Sequence, residues 1–315
     1  EIMPSLVGSE MCIRDRHYTG KRSWGSLDAR LYGERVDHFM DFGKDKQYIY
    51  SSASYPTTAY GMPMNTKGKT AGAALKAEID VSTRDLLRVG AEAQLYRLDD
   101  WWPPSGAGMY PNLFWNINDG RRDRYAIFSE LESRLNQEWT TLIGARLELV
   151  RSDAGAVQGY NSNYDSSASA FNSLDRTRKD WNLDLMALAR YIPDEQHTYE
   201  VGVAQKNRTP NLYERYVWAY NSSMVLVMNN FVGDGNGYLG NPDLKPETAH
   251  TLSASASWHS ADKSREFKVS PFFTYVENYI DAVQWANYTS NASGVNTAGQ
   301  FGVLKYMNQT GRLFG

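Results

Sequence analysis

Stretch after stretch of this chain alternates apolar and polar side chains with a period of two. That periodicity marks β-strands with one apolar face. Ala71, Ala73, Leu75, Ala77, Ile79 and Val81 share one side, and Lys76, Glu78 and Asp80 the other. Leu87, Val89, Ala91, Ala93 and Leu95 alternate with Arg88, Glu92 and Gln94. Tyr125, Ile127, Leu131 and Leu135 oppose Arg124, Glu130, Glu132 and Arg134. Trp139, Ile143, Ala145, Leu147 and Leu149 oppose Arg146 and Glu148. Further strands fall near 22–37, 180–192, 198–206, 248–258, 265–285 and 301–314, about ten in all. No amphipathic helix of useful length interrupts them.

The connections between strands run long, short, long, short. The long ones cover about 38–69, 99–122, 152–179, 207–247 and 286–300, and the short ones 82–85, 136–138, 193–197 and 259–264. A soluble sandwich has no reason to gather every long loop at one end. An outer-membrane barrel does, with tight periplasmic turns and long extracellular loops. The strands also reach the ~9–11 tilted residues that cross a bilayer.

Charge on the polar faces agrees. Burying such a face against a second layer would strand unpaired charge, whereas a wet lumen solvates it. A closed barrel is the one strand architecture that satisfies every backbone group in lipid. Mean hydropathy is −0.56, and no apolar run approaches the ~20 residues of a membrane helix. A net charge of −3 argues against a dedicated nucleic-acid binder. Aromatics make up 13% of the chain, mostly Tyr and Trp, which suit water–lipid boundaries. Trp24, Trp139, Tyr125, Tyr191, Trp258 and Tyr275 sit near strand ends, where girdle residues belong. Loops this long belong to large barrels of up to 22 strands with a plugged lumen. The expectation is therefore an all-β, transmembrane antiparallel β-barrel fragment, about ten strands of some 22.

Residues 1–16 lack the alternation and read as a non-native, adapter-like segment, leaving 17–315 as the partial barrel domain. The only cysteine, Cys12, falls inside that segment. The remainder then offers no disulfide, thiol nucleophile or cysteine zinc site.

Two elements carry identity. Arg208-Thr209-Pro210-Asn211-Leu212-Tyr213-Glu214-Arg215 follows one strand, and Gly240-Asn241-Pro242-Asp243-Leu244-Lys245-Pro246-Glu247 precedes the next. Pro242 and Pro246 bar ladder hydrogen bonds and fix the entry into the descending strand. The pair, in this order around one long loop, resembles the TonB-dependent outer-membrane receptors. Arg208, Thr209, Pro210, Asn241, Pro242, Leu244, Pro246 and Glu247 are expected to shape that loop rather than do chemistry. Met228 to Tyr238, together with Pro210 to Tyr216, looks like the copper-receptor branch of that family.

The resemblance implies capture of copper by a His-x-Met pair on a barrel loop, matched here by His38-Phe39-Met40. Imidazole suits copper in either oxidation state, and a thioether selects Cu(I). In extended chain, residues i and i+2 point to the same side, so His38 and Met40 can reach one ion. The family's other ligands, a cysteine and a methionine, come from a plug domain absent from this sequence. Met62, Met64, Met224 and Met228 are candidate secondary soft sites, or simple packing, since methionine is an adaptable filler. His17, His197, His250 and His259 read as ordinary surface residues.

The resemblance thus implies a TonB-dependent, porin-like receptor in the outer membrane of a Gram-negative bacterium. Copper ion is its transported substrate, outer-membrane lipid surrounds it, and it has no cofactor and no nucleic-acid partner. A TonB-type transducer powers it through the plug. Asp99, Asp100, Asp119 and Asp234 would favour cation entry, or merely keep the loops soluble. A siderophore or other metal-chelate receptor is the alternative, with Trp101, Trp102, Phe114, Trp115 and Tyr216 stacking on the chelate. The reading from another class is a secreted all-β binding module or hydrolase using Glu130 and Glu132. Their separation of ~7 Å along one strand face lies within the range glycosidases use. Arg124, Arg134 and Arg146 nearby favour lumenal ion pairs instead, so no enzyme is expected.

Overall fold

The computed structural model describes residues 7–40, 63–105, 109–220, 229, 231–232, 234, 236–286 and 302–315. The strands are β1 (Val7–Arg22), β2 (Gly25–Met40), β3 (Met64–Asp80), β4 (Asp85–Trp102), β5 (Phe114–Arg134) and β6 (Trp139–Asp153). They continue as β7 (Arg178–Tyr191), β8 (His197–Arg208), β9 (Gly237–Leu239), β10 (Glu247–His259), β11 (Glu266–Val269), β12 (Phe272–Ala286) and β13 (Val303–Phe314). Together they form one 13-stranded sheet, ordered β1-β2-β3-β4-β5-β6-β7-β8-β10-β12-β13-β9, with β11 beside β10. Neighbours pair antiparallel except β9, which lies parallel to β13. The path stays open between β1 and β9. Two short helices, α1 (Asp165–Asn172) and α2 (Leu212–Tyr216), sit in the long loops.

The expected asymmetry of the two ends is present. Tight turns at 23–24, 81–84, 135–138, 192–196 and 260–265 occupy one end, and every long connection the other. Side chains close the turns locally: Asn136 Oδ1 accepts the N–H of Glu138 and Trp139 at 2.9 and 2.8 Å. Asp194 Oδ1 accepts those of Gln196 and His197 at 2.8 and 2.9 Å. Both are self-bonding turn residues.

One sheet face is apolar and open. Ile127 and Ile143 are each 60% exposed, Val203 54% and Leu75 49%. A contiguous patch of this extent marks a surface that water does not cover. Aromatics bracket it. Trp139, Tyr191 and Tyr199 are neighbours across β6, β7 and β8, with rings 4.6 and 6.3 Å apart. Trp258 and Phe267 extend the row at 6.3 and 5.5 Å. Tyr125, Leu149 and Trp181 stand in register toward the long-loop end. Along β7, Tyr191 and Trp181 are separated by about ten residues, roughly 33 Å of strand. At a ~45° tilt that spans ~23 Å, close to the ~25 Å apolar band of membrane barrels. Trp24 lies in the β1–β2 turn, and Tyr275 faces His250 near the outer end of β10.

The opposite face is a charged ladder. Arg88 binds Glu130 at 2.7 Å and Glu132 at 2.9 Å, and lies 3.6 Å from Glu78. Arg146 reaches Glu92 at 2.7 Å and Arg124 reaches Glu148 at 2.7 Å. The partner of the two same-strand glutamates is thus Arg88, supplied by the neighbouring strand register, rather than Arg124, Arg134 or Arg146.

Three details differ from the sequence expectation. The strand expected over 265–285 breaks at Ser270-Pro271, so β10 pairs first with β11 and then with β12; proline has no N–H for the ladder. The short strand β9 adds a parallel edge within the 207–247 loop. Residues 7–16 belong to β1, but with the faces reversed. Arg14 and Arg16 stand opposite Gly33 and Leu31 on the apolar side, while Met11 and Ile13 lie on the charged side, 64% and 58% exposed.

Candidate functional site

The long-loop end holds the molecule's compact core. Phe114, wholly buried, stacks on Trp218 with centroids 4.9 Å apart and packs edge-on to Tyr164 at 5.4 Å. Trp102, Ile117, Tyr160, Phe171, Leu212 and Tyr216 belong to the same cluster. Trp218 Nε1 donates to Trp115 O at 2.7 Å, and Tyr216 Oη to Arg176 O at 2.7 Å. Three of the five aromatics considered for chelate stacking, Trp102, Phe114 and Tyr216, are therefore core residues. Trp101 and Trp115 form a partly exposed pair at 5.7 Å, with Trp115 packed against the edge of that core.

The two proline elements are tied together through α2. Asn211 caps it, accepting Glu214 N–H at 2.8 Å, and Glu214 returns a bond to Asn211 N–H at 2.7 Å. The Asn-x-x-Glu spacing is a variant of the capping box that sequence alone can flag. Arg208 grips Glu247 at 2.6 and 2.8 Å and Glu214 at 2.9 Å. Glu247 also accepts Ile280 N–H at 2.8 Å, beside a bulge in β12. Thr209 Oγ1 accepts from Asn182 at 2.8 Å. Pro210 and Leu244 are buried. Pro242 O accepts from Arg178 Nε at 2.9 Å, and Asn241 Nδ2 donates to Tyr306 O at 3.1 Å. Pro246 is half-buried just ahead of β10.

Sequence reasoning missed the centre of this assembly, Arg215. Its guanidinium is fully buried, binds Asp180 at 2.8 and 3.1 Å and donates to Leu244 O at 2.8 Å. In the sequence Arg215 is one of three charged residues of the first proline element, beside Arg208 and Glu214, and nothing there marks it as the buried one.

His38 and Met40 lie near the outer end of β2, on the lumenal face. The β2–β3 register sets Met40 directly opposite Met64 and His38 opposite Thr66. The next register pair is Thr66 with Asp100 on β4. Asp100 is 1% exposed. It accepts from Asn116 at 2.9 Å, Tyr213 Oη at 3.1 Å and Thr66 at 3.4 Å. It stands beyond the apolar band, and burial pushes its carboxyl up to about 6, with the hydrogen bonds and His38 opposing the shift. Burial and the neighbouring Asp100 also raise the Tyr213 hydroxyl. Met62, Met224 and Met228 lie outside the described residues. Among the described residues, no three His, Cys, Asp or Glu side chains converge on a metal-sized point.

The remaining acids considered for cation entry are also engaged. Asp99 accepts Asp119 N–H at 2.9 Å, Asp119 pairs with Arg121, and Asp234 binds Tyr238 Oη at 2.7 Å. His17, His197, His250 and His259 each stand beside a carboxylate, at 2.5, 2.7, 3.7 and 3.9 Å. Glu130 and Glu132 share Arg88 as their ion-pair partner, at 2.7 and 2.9 Å.

Comparison with known proteins fits this architecture. The family described as TonB dependent receptor-like, beta-barrel, matches residues 14–311. Among solved structures, the copper transporter OprC superposes with a TM-score of 0.66 at 15% identity, over 98% of this chain and 43% of that one. The hemophore receptor HasR of Serratia marcescens, a double mutant in complex with its hemophore HasA and heme, gives 0.64 at 18%, over 98% and 45%. The FrpB iron transporter from Neisseria meningitidis gives 0.58 at 14%, over 98% and 41%. Such identities speak to the fold alone, and the chain spans under half the length of each. No curated protein matches the sequence.

Proposed function

The chain belongs to the TonB-dependent receptor β-barrel family, and from that premise we propose that it is part of a receptor that takes up copper ions. The family is one of transporters rather than enzymes, resident in the outer membrane of Gram-negative bacteria. In this reading His38 and Met40 supply an imidazole and a thioether to the ion, with a cysteine and a methionine contributed by the plug. Rearrangement of the plug, driven by TonB, releases the ion inward. Met224 and Met228 serve as secondary capture sites along the loop, and Met62 and Met64 close the first one.

One observation carries the reading. Met64 stands directly across from Met40, with His38 on the same face of β2. Directly opposed residues have Cβ atoms ~4.5–5.5 Å apart, so one soft ion can be reached from both strands. Such a thioether pair favours Cu(I) over harder cations.

The experiment is copper stoichiometry and affinity in the full-length receptor, wild type against His38→Ala/Met40→Leu. Loss of the bound ion supports the proposal, and unchanged binding removes it. A second reading, uptake of a metal chelate, is favoured by Trp101 and Trp115, with Lys67 Nζ 5.4 Å from the Trp101 ring centroid. A cation beside an aromatic pair suits a flat anionic chelate. Binding of a ferric chelate that Trp101→Ala abolishes, with copper binding absent, selects this reading.

A further inference from the structure

We propose that Asp100 is the counter-charge of the captured ion, a specificity-determining carboxylate that the cation held by His38 and Met40 neutralises across Thr66. The inference deepens the copper reading and rests on it.

Three charged side chains are buried among the described residues: Asp100 at 1% exposure, Glu148 at 8% and Arg215 at 0%. Two of them touch an opposite charge. Glu148 binds Arg124 at 2.7 Å, and Arg215 binds Asp180 at 2.8 Å. Asp100 has no such partner among the described residues. Asn116 Nδ2, Tyr213 Oη and Thr66 Oγ1, which bond to it, are all neutral donors. Neutral hydrogen bonds offset only part of the cost of taking a carboxylate out of water, and buried charges are as a rule paired or bound to a metal. The Oδ1 atom of Asn116, a residue itself 2% exposed, is also without a hydrogen-bond partner. This pocket therefore holds a surplus of electronegative atoms and lacks a positive charge.

The sheet register shows where that charge can come from. His38 stands opposite Thr66, and Thr66 opposite Asp100, so the three form one row across β2, β3 and β4 on the lumenal face. Met40 and Met64 make the next lumenal pair beyond His38 and Thr66. Adjacent strands lie ~4.8 Å apart, which sets the backbones of His38 and Asp100 roughly 10 Å apart with Thr66 between them. His38, Met40 and Met64 are half-buried rather than enclosed, so an ion can reach them while Asp100 stays shut off from water. A carboxylate at that range attracts a bare cation and repels an anionic chelate. Its sign separates the two classes of cargo.

The test measures equilibrium binding of Cu(I) and of Cu(II) to the full-length receptor in detergent, wild type against Asp100→Asn. Asparagine keeps the shape of the side chain and removes its charge. At a separation of ~10 Å and an effective dielectric constant of about 20, the lost attraction corresponds to roughly ten-fold weaker Cu(I) binding. The attraction doubles with the charge of the ion, so Cu(II) binding is expected to weaken roughly a hundred-fold. Equal weakening of both ions marks a structural role and overturns the proposal, as does unchanged binding. A wild type that binds neither ion removes the copper reading and the counter-charge with it. A wild type that binds, beside an Asp100→Asn that binds equally well, removes the counter-charge alone. Should Asp100→Asn fail to fold, Thr66→Lys against Thr66→Gln decides. An ammonium at position 66 supplies the missing charge from within the chain. Thr66→Lys is therefore expected to melt higher than Thr66→Gln without copper and to bind copper more weakly. Absence of either difference overturns the proposal.

Discussion

Arg215 and Asp180 meet through two hydrogen bonds of 2.8 and 3.1 Å, although Arg215 is shut off from solvent entirely. The pair joins α2 to the outer end of β7, and the third bond of Arg215, to Leu244 O, adds the strand-entry element. Removing one partner of such a pair leaves an uncompensated buried charge. Arg215→Met is expected to destabilise the loop platform by about 3–5 kcal/mol. Joint replacement by Arg215→Met and Asp180→Leu should recover most of that loss. Limited proteolysis between residues 209 and 246 measures both.

Gly240 packs beneath the same platform. A Cβ there would lie 2.8 Å from Arg215 O and from Val217 O. Both are backbone atoms with no flexible end to move aside. Gly240→Ala should therefore cost about 1–3 kcal/mol by overpacking and raise amide exchange at Gly240 and Asn241. Both N–H groups now donate across the turn, at 2.7 and 2.9 Å.

Asp262 sits in the 260–265 turn, outside the membrane band. Hydrogen bonds from Ser260 and Ser264 hold its carboxyl down at about 2, against an ordinary 3.8. The folded form is the stronger acid, so the contribution to stability is full above about pH 4 and fades as pH falls toward 2. Thermal scans should show wild type losing stability between pH 4 and 2 relative to Asp262→Asn. Parallel curves across that window would remove the assignment.

We propose that residues 1–16 are foreign to the barrel. In β1 the register sets Arg14 and Arg16 among lipid-facing side chains and Met11 and Ile13 on the charged side. A charge on the lipid face costs about 2–4 kcal/mol at the bilayer midplane. Sequencing the native gene across this junction should reveal a strand whose apolar residues fall in the phase of Tyr18 and Leu31. Recovery of the same Arg14 and Arg16 codons would count against it.

The sequence by itself determined the local part of this protein. Strand pleating puts alternate side chains on opposite faces, so the period-two runs of Leu75, Ile127 and Ile143 were enough to find strands and their lipid face. Proline in Gly240–Glu247 marked the strand entry because it cannot join a ladder. The order of long and short connections then set which end faces outward. Tertiary structure decided everything that depends on which strand lies beside which. Arg88 holds Glu130 and Glu132 from 42 and 44 residues away, Met64 faces Met40 across a loop, and Arg215 finds Asp180 35 residues back. Alternation is a steric property of each strand alone. Register is a property of the whole sheet, fixed by turn lengths, bulges such as that at Val276–Tyr279, and packing in the loop core.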